Sequence, residues 1–353
     1  MRRLPRYIAR RVWFSVLLVL LVVVGLDSLA EFLDESADRS SSYGYAQIAR
    51  YVLLTLPGRI YEYLPFAALI GALTGLGQLA STSELVVMRA AGVSNARLAT
   101  LVLLQSLQLA LLGFLLGEYL APGAEQAAQS GRDLARYAQR ERAGPRGIWK
   151  RDGDRFIHVQ AVQGGSRIFG VTVYEFAGDG RLERALFADQ GRYRDGGWLL
   201  REVRWTRGGR ERYRRGVQAS LFLASNLTPR VLTLENVEPE QLALNDLVGY
   251  ADFLRTQGED AGEFELALWR KLLQPAAVAA LVLVALSFVF GPLRDGSLGF
   301  RLFAGVMVGI VFRLAEELLG PASLVFGFAP FYAALAPVLL CALAGLLLLR
   351  RAG

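Results

Sequence analysis

Val12-Trp13-Phe14-Ser15-Val16-Leu17-Leu18-Val19-Leu20-Leu21-Val22-Val23-Val24-Gly25-Leu26 is almost wholly apolar, and the run continues to about residue 33 with Asp27 near its outer end. Hydrocarbon cannot satisfy an open backbone N–H or C=O, so a chain crosses it as a helix of roughly 20 mostly apolar residues. This run is long enough. Working outward, the same condition marks residues 56–80, 98–120, 268–290, 298–319 and 326–349. Six spans are expected, and an even number puts both termini on one side.

The arginines choose the side. Arg2, Arg3, Arg6, Arg10 and Arg11 precede the first span, and Arg350 and Arg351 follow the last. Arg89 and Arg97 lie between spans two and three, Arg294 and Arg301 around the turn between four and five. Just beyond the first span come Glu31, Asp34, Glu35 and Asp38 instead. Basic residues stay in the cytoplasm, so both ends are expected there, with the middle of the chain across the membrane. The N-terminus also has basic residues, an apolar run and Ser28-Leu29-Ala30, the pattern of a cleaved signal. Its apolar run is longer than usual and acidic residues follow at once, so an uncleaved anchor is expected.

Composition excludes several chemistries. One cysteine, Cys341, and one histidine, His158, allow neither an internal disulfide nor a Cys/His zinc cluster. The two lysines, Lys150 and Lys271, follow Trp149 and Arg270, so neither sits in a phosphate-binding Gly-Lys-Ser/Thr loop. No Gly-x-Ser-x-Gly elbow occurs. The net charge of +7 comes with no nucleic-acid-binding motif. No enzyme activity, metal or cofactor is expected of this chain.

Between spans three and four the hydrophobic period falls to two. Ile148-Trp149-Lys150 precedes Asp152-Gly153, and Arg155-Phe156-Ile157-His158-Val159 follows it. Residues 168–176 alternate before Asp179-Gly180, and Asp195-Gly196-Gly197 leads into residues 198–205. Asp-Gly between alternating runs is a strong hairpin signal. A β domain built as a sandwich, jelly roll or partial barrel is expected over 147–234, with His158 structural. Asn245 then reads as the N-cap of a short amphipathic helix with Leu247, Tyr250, Phe253 and Leu254 on one face.

Four polar features stand out. Ser81 and Glu84 have capping-box spacing and Gly92 is a natural stop, which predicts a short cytoplasmic helix bearing Leu85 and Met88. Such a helix suits docking into a partner's groove or resting on lipid. Gly71/Gly75, Gly113/Gly117 and Gly305/Gly309 permit close helix packing, within the chain or against a second subunit. Arg313 with Glu316 and Glu317, and Glu118 at the end of span three, are ionisable groups near lipid. Arg132, Arg136, Arg140 and Arg142 follow span three, and a basic face there suits a phosphorylated lipid headgroup.

Several blocks, in order, carry a family resemblance. They are Arg6-Tyr7-Ile8, residues 64–73 from Leu64-Pro65-Phe66, Ser83-Glu84-Leu85-Val86-Val87-Met88 with Ala91-Gly92, and Gly117-Glu118 with Ala121-Pro122 and Glu125-Gln126. Asn226-Leu227-Thr228-Pro229, residues 286–294 and Leu319-Gly320-Pro321 complete the set. The chain resembles the lipopolysaccharide export permeases of the LptF/LptG type. The resemblance implies an α-helical membrane protein with six transmembrane helices and an all-β, jelly-roll-like periplasmic domain between helices 3 and 4. Its parts would be residues 1–127 with a coupling helix at 83–91, the β domain at 128–264, and residues 265–353.

The resemblance also implies a role. Such a permease extracts lipopolysaccharide from the outer leaflet of the inner membrane, as an LptF–LptG heterodimer. LptB, a cytoplasmic ATPase dimer, would bind the ATP and Mg, and LptC and then LptA would receive the lipid. Glu84, Leu85, Met88 and Arg89 would couple to LptB. Arg132 and Arg136 would meet substrate phosphates, Tyr63 and Ile310 the acyl chains, and spans one and five would form lateral gates. Related chains commonly carry lysine where this one has Glu31, near Asp34 and Glu35. A carboxylate there would repel phosphate unless a divalent cation bridges them. The alternatives are a permease or mechanotransmitter for another amphiphile, and a membrane-anchored assembly or sensor protein.

Overall fold

The computed structural model describes residues 3–37, 43–137, 147–163, 166–208, 213–225, 227–234, 237–291 and 297–351. The chain begins with α1 (Arg3–Ala37) and α2 (Tyr45–Ser81), followed by the short α3 (Glu84–Ala90) and by α4 (Asn95–Leu115). A π-helical turn, Leu116–Leu120, joins α4 to α5 (Ala121–Tyr137). Pro122 has no N–H to return to the Glu118 carbonyl, and the widened turn sits where that bond is missing. Among the described residues six strands come next: β1 (Ile148–Asp152), β2 (Arg155–Gln163), β3 (Arg167–Phe176), β4 (Leu182–Arg194), β5 (Gly197–Gly208) and β6 (Tyr213–Ala224). The chain ends with α6 (Pro229–Leu234), a 3₁₀ turn (Pro239–Gln241), α7 (Leu244–Gln257), α8 (Gly262–Phe290), α9 (Leu298–Phe326) and α10 (Pro330–Arg351).

Among the described residues, five helical runs are long and apolar enough to cross a membrane: Leu4–Ala37, Tyr45–Ser81, Asn95–Ala135, Gly262–Phe290 and Pro330–Arg351. α9 matches α8 in length but is interrupted by Arg301, Arg313, Glu316 and Glu317, and is not among the five. The Pro292–Arg294 part of the family resemblance lies outside the described residues, as does Asn226.

The chain divides into two compact units. Met1–Ala30, Leu56–Pro122 and Pro239–Gly353 form a helical unit; Glu31–Thr55 and Gly123–Glu238 form the other. In the helical unit Ile8, Val12 and Val16 of α1, Leu64, Leu69 and Leu73 of α2, Val102 of α4 and Val278 and Leu281 of α8 share one core. Glycine sets how closely these helices meet. A Cβ on Gly71 would lie 2.6 Å from the Val16 Cα, so α2 and α1 touch backbone to side-chain root. Gly113 and Gly117 pack on Leu64 and Tyr61 of α2, and Gly305 and Gly309 on Leu73 and Phe66. All three small-residue pairs are therefore spent within the chain, with α2 at the centre.

In the second unit the strands form one antiparallel sheet in the order β1-β2-β3-β4-β5-β6. Asp195 and Gly196 both have positive φ, 52° and 79°, the geometry a two-residue type I′ hairpin requires. Ile157, Val159, Val171, Val173, Leu186, Ala188 and Leu200 are buried, and the Trp198 indole donates to the Leu227 carbonyl at 2.8 Å. Each strand pairs antiparallel with the one before it in the chain, so the order is a meander. The crossover order of a jelly roll is not found among the described strands, and the sheet is open at β1 and β6. In the same unit, Tyr51 and Val52 of α2 pack with Ala128 of α5 and Phe32 of α1.

Two local expectations need correction. α7 starts one residue before Asn245, with Ala243 as its unassisted N-cap. α3 is preceded by Ser83 at φ 61°, with no side-chain cap. Ser81 and Thr82 instead donate back to the Gln78 carbonyl, prolonging the end of α2 at the expense of a capping box.

Candidate functional site

α3 is a seven-residue helix between two spans. It stops as expected at Gly92, whose φ is +89°; Gly92 N donates to the Arg89 carbonyl and Val93 N to that of Met88. Leu85 is only 6% exposed and Met88 packs against the same helical core, so these two residues anchor α3 to its own chain. The exposed side is Val86, Val87 and Arg89. Glu84 is also engaged: the Tyr7 hydroxyl donates to its Oε2 at 2.7 Å and Thr82 to its Oε1 at 3.2 Å. Arg11 donates to the Tyr7 hydroxyl at 3.2 Å, so the start of α1 and α3 are one hydrogen-bonded assembly.

At the other end of α1, Asp27 gathers two partners from α2. Arg59 pairs with its Oδ2, and the Tyr63 hydroxyl donates to its Oδ1 at 2.9 Å. Tyr63 thus presents a ring whose polar tip is fixed. Ile310, on α9, is 44% exposed. Arg313 on the same helix pairs with Glu317 at 2.8 Å, as the spacing predicts, and also with Glu62 of α2 at 2.6 Å. Glu316 is not its partner; the Glu316 carbonyl accepts from Arg270 at 2.5 Å.

Sequence reasoning missed a buried charge pair. Lys271 of α8, 2% exposed, lies 3.1 Å from the Glu118 carboxylate in the π-helical turn. Its ammonium also donates to the Gly117 carbonyl at 2.9 Å and the Leu242 carbonyl at 2.6 Å, which uses all three donors. Glu118 accepts from Leu244 N with both oxygens, at 3.0 and 3.1 Å, and so supplies the cap that α7 lacks locally. The available signals were Glu118, an ionisable group at the end of span three, and Lys271, a lysine not placed for nucleotide chemistry.

In the second unit Arg132 of α5 reaches the Glu35 carboxylate of α1 at 2.5 Å and lies over the Tyr51 ring, 5.1 Å from its centroid. The Tyr43 hydroxyl donates to the other Glu35 oxygen at 2.8 Å. Glu35 and Tyr43 are both buried. Glu31 belongs to this unit and is half-buried. The Arg136 side chain lies outside the described residues, as do Arg140, Arg142 and Asp38. The substrate-contact residues expected from sequence therefore fall in two units: Tyr63 and Ile310 in one, Glu31 and Arg132 in the other. Among the described residues no group of His, Cys, Asp and Glu side chains is arranged to hold a metal ion.

Residues 6–351 match the model of the family described as lipopolysaccharide export system permease LptF/LptG. The LptG protein of Escherichia coli (strain K12), named as a lipopolysaccharide export system permease protein, is 34% identical over 338 residues, covering 95% of this chain and 94% of that protein. LptG of Haemophilus influenzae (strain ATCC 51907 / DSM 11121 / KW20 / Rd) is 33% identical over 340 residues, covering 96% and 95%. With its several membrane-length helices and antiparallel β-sheet, this multi-pass membrane protein belongs to the LptF/LptG family of lipopolysaccharide export system permeases.

Proposed function

We infer that the chain is the permease subunit of an ABC transporter that extracts lipopolysaccharide from the inner membrane and hands it to a periplasmic bridge. The observation that carries this is similarity to LptG proteins over 95% and 96% of the chain. ATP is hydrolysed by a partner LptB, since this chain has no phosphate-loop lysine. Burying alkyl chains is worth about 0.8 kcal/mol per CH₂, so lifting a lipid with several chains out of a bilayer needs an external energy source.

α9 is the sixth span, its four charges tolerated because Arg313 is paired with Glu62 and Glu317. Both termini and α3 are cytoplasmic, and the β-sheet is periplasmic, with a jelly-roll-like curl. The chain divides as residues 1–127, 128–264 and 265–353. LptF is the second permease, LptC and LptA the acceptors. α3 docks into LptB with Val86, Val87 and Arg89, while Leu85, Met88 and Glu84 hold it in position. Tyr63 and Ile310 face acyl chains, and Arg132 and Arg136 face headgroup phosphates, near the carboxylate of Glu31.

Purification from mild detergent tests the assembly. A second permease of similar size and an ATPase should come down with the chain; recovery of the chain alone, at any salt concentration, contradicts it.

A further inference from the structure

Arg132 is held by one arm only. Its Nη2 meets Glu35 Oε1, while Tyr43 draws off Glu35 Oε2. A guanidinium edge offers two parallel donors to an oxyanion, and the second donor on this edge is Nε. That Nε is buried and has no hydrogen-bond partner among the described residues. Tyr51 covers the face of the guanidinium, so the edge is what remains to be filled. Glu35 is 5% exposed, which shields the contact from water and makes an unfilled donor costly.

We propose that Glu35 is a built-in stand-in for a phosphate group, occupying Arg132 in the empty protein and yielding it when a phosphorylated lipid headgroup arrives. The inference rests on the reading of Arg132 as a headgroup contact. A phosphate monoester brings three acceptor oxygens and a charge of about −1.5 to −2, so it fills both arms of the edge. Glu35, tied to Tyr43, fills one. A headgroup without phosphate offers nothing better than the carboxylate already there, and Glu35 keeps the arginine. Selectivity comes from this internal competitor as much as from attraction to the arginine. Tyr43 has a second role in the exchange, because it retains Glu35 once Arg132 lets go.

Binding of lipid A carrying both phosphates, and of dephosphorylated lipid A, to the purified transporter complex in nanodiscs tests this. Glu35→Gln should tighten binding of the phosphorylated form about tenfold, since a neutral amide competes poorly for a charge-assisted hydrogen bond. It should leave the dephosphorylated form unchanged. Tyr43→Phe, which alters no charge, should act in the opposite direction: it removes the hydroxyl that competes with Arg132 for the Glu35 carboxylate, and phosphorylated lipid A binds several-fold more weakly. Arg132→Ala should weaken it as well. If Arg132→Ala weakens binding but the other two variants shift it alike, or not at all, the stand-in role of Glu35 is wrong and the headgroup reading survives. If Arg132→Ala binds phosphorylated lipid A like the wild type, the headgroup reading fails and takes this inference with it.

Discussion

Lys271 and Glu118 form a buried ion pair that clasps two chain crossings at one point. The ammonium holds the Gly117 carbonyl on the chain leaving α4 and the Leu242 carbonyl on the chain returning to α7, while Glu118 caps α7 at Leu244. Removing one partner of such a pair strands a charge in the interior, at a typical cost of about 3–5 kcal/mol. Lys271→Met should therefore lower the unfolding midpoint in detergent sharply. The double variant Lys271→Met with Glu118→Gln should recover part of the loss, because no unpaired charge remains. Equal losses in the single and double variants would show that the pairing does not matter.

On the proposed reading, the anchoring and docking residues of α3 are different ones. Leu85→Ala empties a buried position and should cost about 2–5 kcal/mol of stability. Val87→Asp changes an exposed position and should leave stability within about 0.5 kcal/mol, yet depress the ATPase activity of the assembled complex or release the ATPase. Thermal unfolding and ATP turnover on the same preparations check both. Full turnover in Val87→Asp would remove α3 from the docking surface.

Gly71 is where α2 meets α1 most closely. Any side chain there strikes the Val16 backbone, so Gly71→Val should force the two helices apart and destabilise by at least about 1–3 kcal/mol. Gly58, with open space where its Cβ would be, is the control and should accept alanine. Comparable unfolding midpoints for the two variants would contradict the close crossing.

Trp198 ties β5 to the segment that follows the sheet through its bond to the Leu227 carbonyl. Trp198→Phe keeps most of the ring but leaves that carbonyl unsatisfied, which should cost about 1–3 kcal/mol. Protease sensitivity of the β region should rise; an unchanged digestion rate would show that the bond contributes little.

How much of this was written locally in the sequence differs between elements. The run from Val12 to Leu26 declares a membrane helix because lipid imposes a length and an apolar composition that few other structures share. Asp195-Gly196 declares a hairpin because few residues accept positive φ twice in succession. Ser81 misled, since its hydroxyl had a better acceptor one turn back at Gln78. Glu118 capping Leu244 could not be read at all: the partners are 126 residues apart, and nothing local marks a carboxylate as another helix's cap. Arg313 was half legible, with Glu317 given by helical spacing and Glu62 only by the fold. Arg132 reads as part of a basic face; that Glu35, nearly a hundred positions earlier in the chain, pairs with it is given only by the fold.

The most direct test is ATP-driven transfer of lipopolysaccharide from proteoliposomes holding this chain, its partner permease and its ATPase to soluble LptA, followed by photocrosslinking on the acceptor. Crosslinked lipid should accumulate with ATP and stay at background with a non-hydrolysable analogue. Equal accumulation with and without hydrolysis, or none when all partners are present and the ATPase is active, would contradict the assignment of this chain as the permease.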